Sequence, residues 1–160
     1  MPLLLSILFV GALGIIAHYV GEALPRKWFK FDRFPYKQFS FEKSGKLYDF
    51  LRVRLWKDKV PDMSKIMKDM LPKKVSFSAT SAELYALAKE TCVAEAVHGI
   101  LGVLFMLIYF FFKNTLGVIL SLVAVILNLP FIIIQRYNRP KILSLASRLY
   151  ERECKKACEF

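Results

Sequence analysis

Residues 92–134 read "CVAEAVHGILGVLFMLIYFFFKNTLGVILSLVAVILNLPFIII", and this stretch decides the fold. Two apolar runs, 92–112 and 116–134, each approach the roughly 20 residues needed to cross a bilayer. Only Lys113, Asn114 and Thr115 separate them. A connection that short predicts a tight helical hairpin, with its two arms antiparallel and in contact.

Working outward, a third apolar run covers residues 3–21, "LLLSILFVGALGIIAHYVG". It lacks a basic leading region and a small-x-small cleavage site, so it reads as a retained span. The chain has 160 residues, of which 56% are hydrophobic, yet its formal net charge is +11; the mean hydropathy is +0.39. A soluble domain of this size does not bury so much apolar surface beside so much charge, so the two must be segregated along the chain. The expectation is an all-α integral membrane protein forming one domain over residues 1–160. It has about three transmembrane helices (3–21, 92–112 and 116–134), with basic amphipathic interfacial helices between the first and second.

The charges fall where this scheme needs them. Sixteen Lys and Arg lie between residues 26 and 89 against seven acids, seven more lie between 136 and 156, and Lys113 completes the 24. Basic segments stay on the cytoplasmic side. Residues 25–90 and the carboxyl terminus are therefore expected in the cytoplasm of a multi-pass cell-membrane protein, with the amino terminus and the Lys113–Asn114 turn outside. Cys92, Cys154 and Cys158 then sit in or beside reducing surroundings, and the last two read as incidental thiols on a polar tail.

The segment 25–79 is expected to lie on the membrane. Residues 44–58 place Leu47, Phe50, Leu51 and Leu55 at helical spacing among Lys46, Arg52, Arg54 and Lys57. Residues 61–71 do the same with Met63, Ile66, Met67 and Met70. Basic amphipathic helices of this kind suit an anionic leaflet. The aromatic-basic stretch 26–39, "RKWFKFDRFPYKQF", adjoins a span, which assigns it to headgroup anchoring rather than to nucleic acid. Thr80 with Glu83 forms a capping box that starts the helix entering the second span.

Ionisable residues inside an apolar run are expensive and mark function by default. Glu95 and His98 lie inside the second span, with Glu90 just outside it. At 100° per residue, Thr91, Glu95 and His98 share one face. The i, i+3 spacing lets Glu95 reach the His98 ring, fix its tautomer and raise its basicity. Counted from the turn at about 1.5 Å per residue, His98 comes level with Leu129, Glu95 with Ile132 and Glu90 with Tyr137. Asn128, Gln135, Arg136, Asn138 and Arg139 occupy the same band on the third span. Arg136 and Arg139, three apart, are placed to clamp a phosphate or carboxylate; the plainer reading is a positively charged stop at the membrane edge. Pro130 frees a carbonyl near residue 126 and invites a kink. His18 and Glu22, on the first span, read as a polar pair at a helix end.

Four blocks carry a resemblance: "LPRKWFK" at 24–30, "FSFEKSGKLYDF" at 39–50 followed by "VRLWKDKVPD" at 53–62, "KETCVAEAVH" at 89–98, and "NLPFIIIQRYNRPKI" at 128–142. Through them the chain resembles the glycosyl-4,4'-diaponeurosporenoate acyltransferases, small membrane proteins of Gram-positive bacteria that acylate a glucosylated carotenoid acid in staphyloxanthin synthesis. The resemblance implies an integral-membrane acyltransferase. Its partners would be an acyl donor such as acyl-CoA, an amphiphilic glycosylated acceptor and membrane lipid.

The residues themselves supply the expected roles. Catalysis falls to His98, Glu95 and Glu90, and substrate binding to Gln135, Arg136, Asn138, Arg139 and Asn128, with no metal or cofactor. Two other readings remain open on sequence. One is a membrane metalloenzyme built on Glu95-x-x-His98, which supplies only two ligands. The other is a non-catalytic scaffold whose polar residues serve helix packing. A hairpin plus one span is small for an enclosed lipid-sized pocket, which leaves a homo-oligomer open.

Overall fold

The computed structural model describes residues 2–43, 45–60 and 79–158. The amphipathic helix expected over 61–71 lies outside them. Among the described residues the chain is all-helical. Helix α1 spans Pro2–Ala23, α2 Ser40–Lys43, α3 Lys46–Phe50, α4 Val53–Trp56, α5 Ser81–Phe105, α6 Tyr109–Phe112 and α7 Thr115–Cys158. Short 3-10 turns occupy Arg26–Trp28 and Met106–Ile108. Three helical stretches, Leu3–Ala23, Ser81–Phe112 and Thr115–Cys158, are long and apolar enough to cross a membrane.

The hairpin is as expected, and its turn shows why it closes. Lys113 adopts a left-handed conformation (φ 53°), which ends α6. Asn114 then starts α7, its Oδ1 accepting from the Gly117 N–H at 3.1 Å. A Cβ at Gly117 would lie 3.0 Å from both the Phe112 Cβ and the Tyr109 carbonyl oxygen. Only glycine admits an approach that close. Below the turn, Leu101, Phe105 and Ile108 form a buried cluster, packed by Leu120, Ala124 and Val125 of α7 and by Phe9, Val10, Leu13 and Ala17 of α1. Most of α1 stays exposed, Leu4 and Ile7 by 61% each.

Helix α5 begins at the predicted capping box. The Thr80 side chain accepts from the Glu83 N–H, and the Glu83 carboxylate accepts from the Thr80 N–H. Its first residue is also clasped from α7, where Glu153 accepts from the Ser81 N–H at 3.0 Å and from the Ser81 hydroxyl. The hairpin is thus fastened at both ends.

The helix of the third span continues past residue 134: α7 runs unbroken for 44 residues, with Pro130 and Pro140 inside it. The apolar run ends there, and the helix goes on as a polar extension. One expectation needs correction: the amphipathic helix over 44–58 is two pieces, α3 and α4. Arg52 separates them in a left-handed conformation (φ 48°). Tyr48 and Val53 are the buried residues of α3 and α4, whereas Phe50 and Leu55 are exposed.

Candidate functional site

Asn128 joins the hairpin's two arms at the level the register predicted. Its Nδ2 donates to the His98 carbonyl oxygen at 2.6 Å, and its Oδ1 lies 2.8 Å from His98 Nδ1. A backbone carbonyl only accepts, so the amide must turn its nitrogen there and offer its oxygen to the ring. In the neutral imidazole, Nδ1 then carries the hydrogen and Nε2 is the basic nitrogen. Phe131, one turn on, stacks flat against the ring with centroids 4.6 Å apart. Packing and hydrogen bonding together fix the imidazole.

Glu95 was expected to orient this ring. Instead its two oxygens are engaged by arginines of α7, Oε1 by Arg136 Nη1 at 2.6 Å and Oε2 by Arg139 Nη2. Arg136 also grips Glu42 of α2, Nε to Oε1 at 2.7 Å and Nη2 to Oε2 at 2.8 Å, and it donates to the Pro35 and Lys37 carbonyls. All five of its N–H groups are used. Arg139 donates to Thr91 Oγ1 at 2.7 Å, to the Thr91 carbonyl and to the Tyr36 carbonyl. The two guanidiniums therefore face inward, onto the protein's own acceptors, and do not stand open as a phosphate clamp. Two carboxylates balance two guanidiniums, which lets four charges sit with side chains no more than 12% exposed. Without such pairing, desolvation would cost several kcal/mol per ion.

The loop between α1 and α3 is thereby pinned to the hairpin. Burial pushes the Glu42 carboxyl up, but Arg136, the Phe39 N–H and the Tyr48 hydroxyl outweigh it and hold its pKa below the ordinary value. Burial, and then Glu42, raise that of Tyr48. Tyr48 donates to Glu42 Oε1 at 2.9 Å, and the Arg136 guanidinium lies 4.4 Å above the Phe39 ring.

Glu90 belongs elsewhere. It receives Arg26 Nε at 2.7 Å and Nη2 at 3.0 Å. Arg26 Nη1 meanwhile caps the end of α1 by donating to the carbonyls of Gly21, Glu22 and Leu24. Glu90 thus ties α1 to α5.

The profile of the glycosyl-4,4'-diaponeurosporenoate acyltransferases matches residues 25–148. The chain belongs to this family. A glycosyl-4,4'-diaponeurosporenoate acyltransferase of Staphylococcus aureus (strain bovine RF122 / ET3-1) is 32% identical over 134 residues, covering 83% of this chain and 81% of the relative. The proteins of that name from strains MRSA252 and N315 are 32% and 31% identical over the same shares. No solved structure matches.

Every group of the site and its supporting network, from Arg26 to Arg139, lies inside the span matched to the acyltransferase family, and α1 lies outside it. Gln135 is buried on the face of α7 that also carries Asn128 and Arg139. Asn138 is half-buried next to them. His18 and Glu22 stay on α1, with Glu22 3.8 Å from Arg26. Reading the sequence missed Arg26, Tyr36 and Glu42. Glu42 carried one signal, as a single acid between the aromatics Phe39, Phe41 and Tyr48. Among the described residues, no group of three His, Cys, Asp or Glu converges, and the two guanidiniums on Glu95 oppose a cation there.

Proposed function

We propose that this chain moves a fatty acyl group onto a hydroxyl of a glycosylated lipid or carotenoid at the cytoplasmic leaflet, with His98 as general base. Membership of the acyltransferase family supports the reaction class. The observation that carries the residue assignment is the pair of hydrogen bonds between His98 and Asn128, which makes Nε2 the basic nitrogen.

In the reaction, Nε2 takes the proton from the acceptor hydroxyl as its oxygen attacks the acyl carbonyl. The new ester C–O bond forms, the bond to the donor's leaving group breaks, and the proton passes from the imidazolium to that group. Asn128 orients the base, while Glu95, Arg136 and Arg139 position the loop and helices around it. In this reading Gln135 and Asn138 donate to substrate oxygens. The three apolar helices span the cell membrane, with residues 25–90 and the carboxyl terminus in the cytoplasm and the amino terminus outside, as the basic residues require.

Lipid mass spectrometry of a host that makes the glycosylated acceptor tests this reading, comparing wild type with His98→Ala at matched membrane levels. An acylated product that appears with wild type and disappears with His98→Ala is the expected result. An equal product from both removes His98 from the mechanism.

A further inference from the structure

An opening of about 510 Å³ lies between α3–α4 and the polar extension of α7. Tyr48, Asp49, Arg52 and Arg54 line one side, and Tyr137 and Lys141 the other. Three cations thus face one carboxylate. Among the described residues, no carboxylate lies within salt-bridge range of Arg52, Arg54 or Lys141. Lys141 instead sits 3.5 Å from the centre of the Tyr137 ring, which meets Tyr48 edge-on at 5.5 Å.

The backbone is bent to build this opening. In a continuous helix, residues 52 and 54 would point about 200° apart. With the left-handed turn at Arg52, both arginines line one cavity. An arginine at positive φ is unfavourable, at about 1–2 kcal/mol, and a surface needing only positive charge has no use for it. Convergent arginines beside aromatic walls suit phosphate groups with an attached flat ring.

Distance narrows the ligand further. Lys141 stands thirteen residues beyond Asn128 on one helix, a rise of about 20 Å. A phosphate in the opening cannot belong to a molecule whose acyl carbon is a few atoms away, as in a phospholipid. It fits a donor whose phosphates and thioester are joined by a long arm.

We propose that this opening holds the nucleotide end of a coenzyme A thioester, with its acyl arm running along α7 towards His98. This rests on the acyltransferase reading above. Its test is binding, which needs no turnover.

Purified full-length protein in neutral detergent would be titrated calorimetrically with coenzyme A and with pantetheine, which lacks the phosphates. The same titrations would use His98→Ala and the pair Arg52→Gly with Arg54→Gln. Glycine keeps the left-handed turn without the charge, and matched thermal melts confirm folding. Coenzyme A should bind wild type and His98→Ala equally, and at least tenfold more weakly to the paired variant, while pantetheine should not bind. No binding to wild type, or equal binding to the paired variant, overturns the proposal. So does full displacement of coenzyme A by phosphatidylglycerol micelles, which would assign the opening to a lipid headgroup. An acylated lipid product without coenzyme A binding overturns the donor site and leaves the acyltransferase standing. Binding without any product does the reverse.

Discussion

Arg136 reaches Glu42 across 94 residues of sequence and holds it with two parallel bonds of 2.7 and 2.8 Å. The pair joins the loop after α1 to the far arm of the hairpin, and the Glu42 side chain is only 4% exposed.

Removing one member leaves a buried charge unbalanced. Glu42→Ala should lower stability by about 3–5 kcal/mol, read as a drop in melting temperature in detergent. Removing both, Glu42→Leu with Arg136→Met, leaves Glu95 paired with Arg139 and should recover most of that loss. If the double variant is no more stable than Glu42→Ala, the charge-balance account fails.

Acid should loosen the same contact. The folded pKa of Glu42 lies below its ordinary value of 4.5, so the folded state favours the carboxylate. The stabilisation is complete above about pH 4.5 and fades as pH falls through the lower folded value. Melting temperature against pH should therefore drop on the acid side for wild type, and less steeply for Glu42→Gln. Parallel curves would show that Glu42 contributes nothing to the acid limb.

His98→Ala should lower acyl transfer by about 100- to 10,000-fold, the range for loss of a general base. Asn128→Ala should retain folding and lose part of the rate, because the ring keeps its stacking on Phe131 but loses its fixed tautomer. Asn128→Asp adds a distinct signature. Its negative charge beside the ring favours the imidazolium, so the pH at which activity rises should move upward. An unchanged pH profile would separate Asn128 from the proton transfer.

Thr80→Ala removes the cap of α5 and should cost about 1 kcal/mol, read as a lower melting temperature. Acyl transfer by the folded fraction should not change, since Thr80 lies at the start of the helix that carries His98, far from the ring.

How much of this was legible depends on the kind of order involved. That His98 and Asn128 lie at about one level followed from counting, because a three-residue turn between two helices leaves the register little freedom; that they bond did not, since Glu95 was the expected partner of the ring. The Arg136–Glu42 contact did not, because residues 26–43 have no periodic pattern and their partner lies on a distant helix. Arg136 and Arg139 looked like a substrate clamp because their spacing is the same whether they face a ligand or a neighbouring carboxylate. The break at Arg52 was hidden for a simpler reason: arginine is a good helix former and gives no sign of a left-handed turn. Pro130 and Pro140 do not end the helix either. Each removes a backbone donor, yet α7 passes through both.

The group of Glu42, Glu95, Arg136 and Arg139 also has a property that belongs to the sum and to none of its members. Each ion alone, moved through a membrane potential of 100 mV, would exchange about 2.3 kcal/mol with the field. Two positive and two negative charges held within bonding distance exchange almost nothing. In the membrane placement proposed above, the scaffold around His98 is thus electrically silent, and its geometry is the same in an energised cell and a depolarised one.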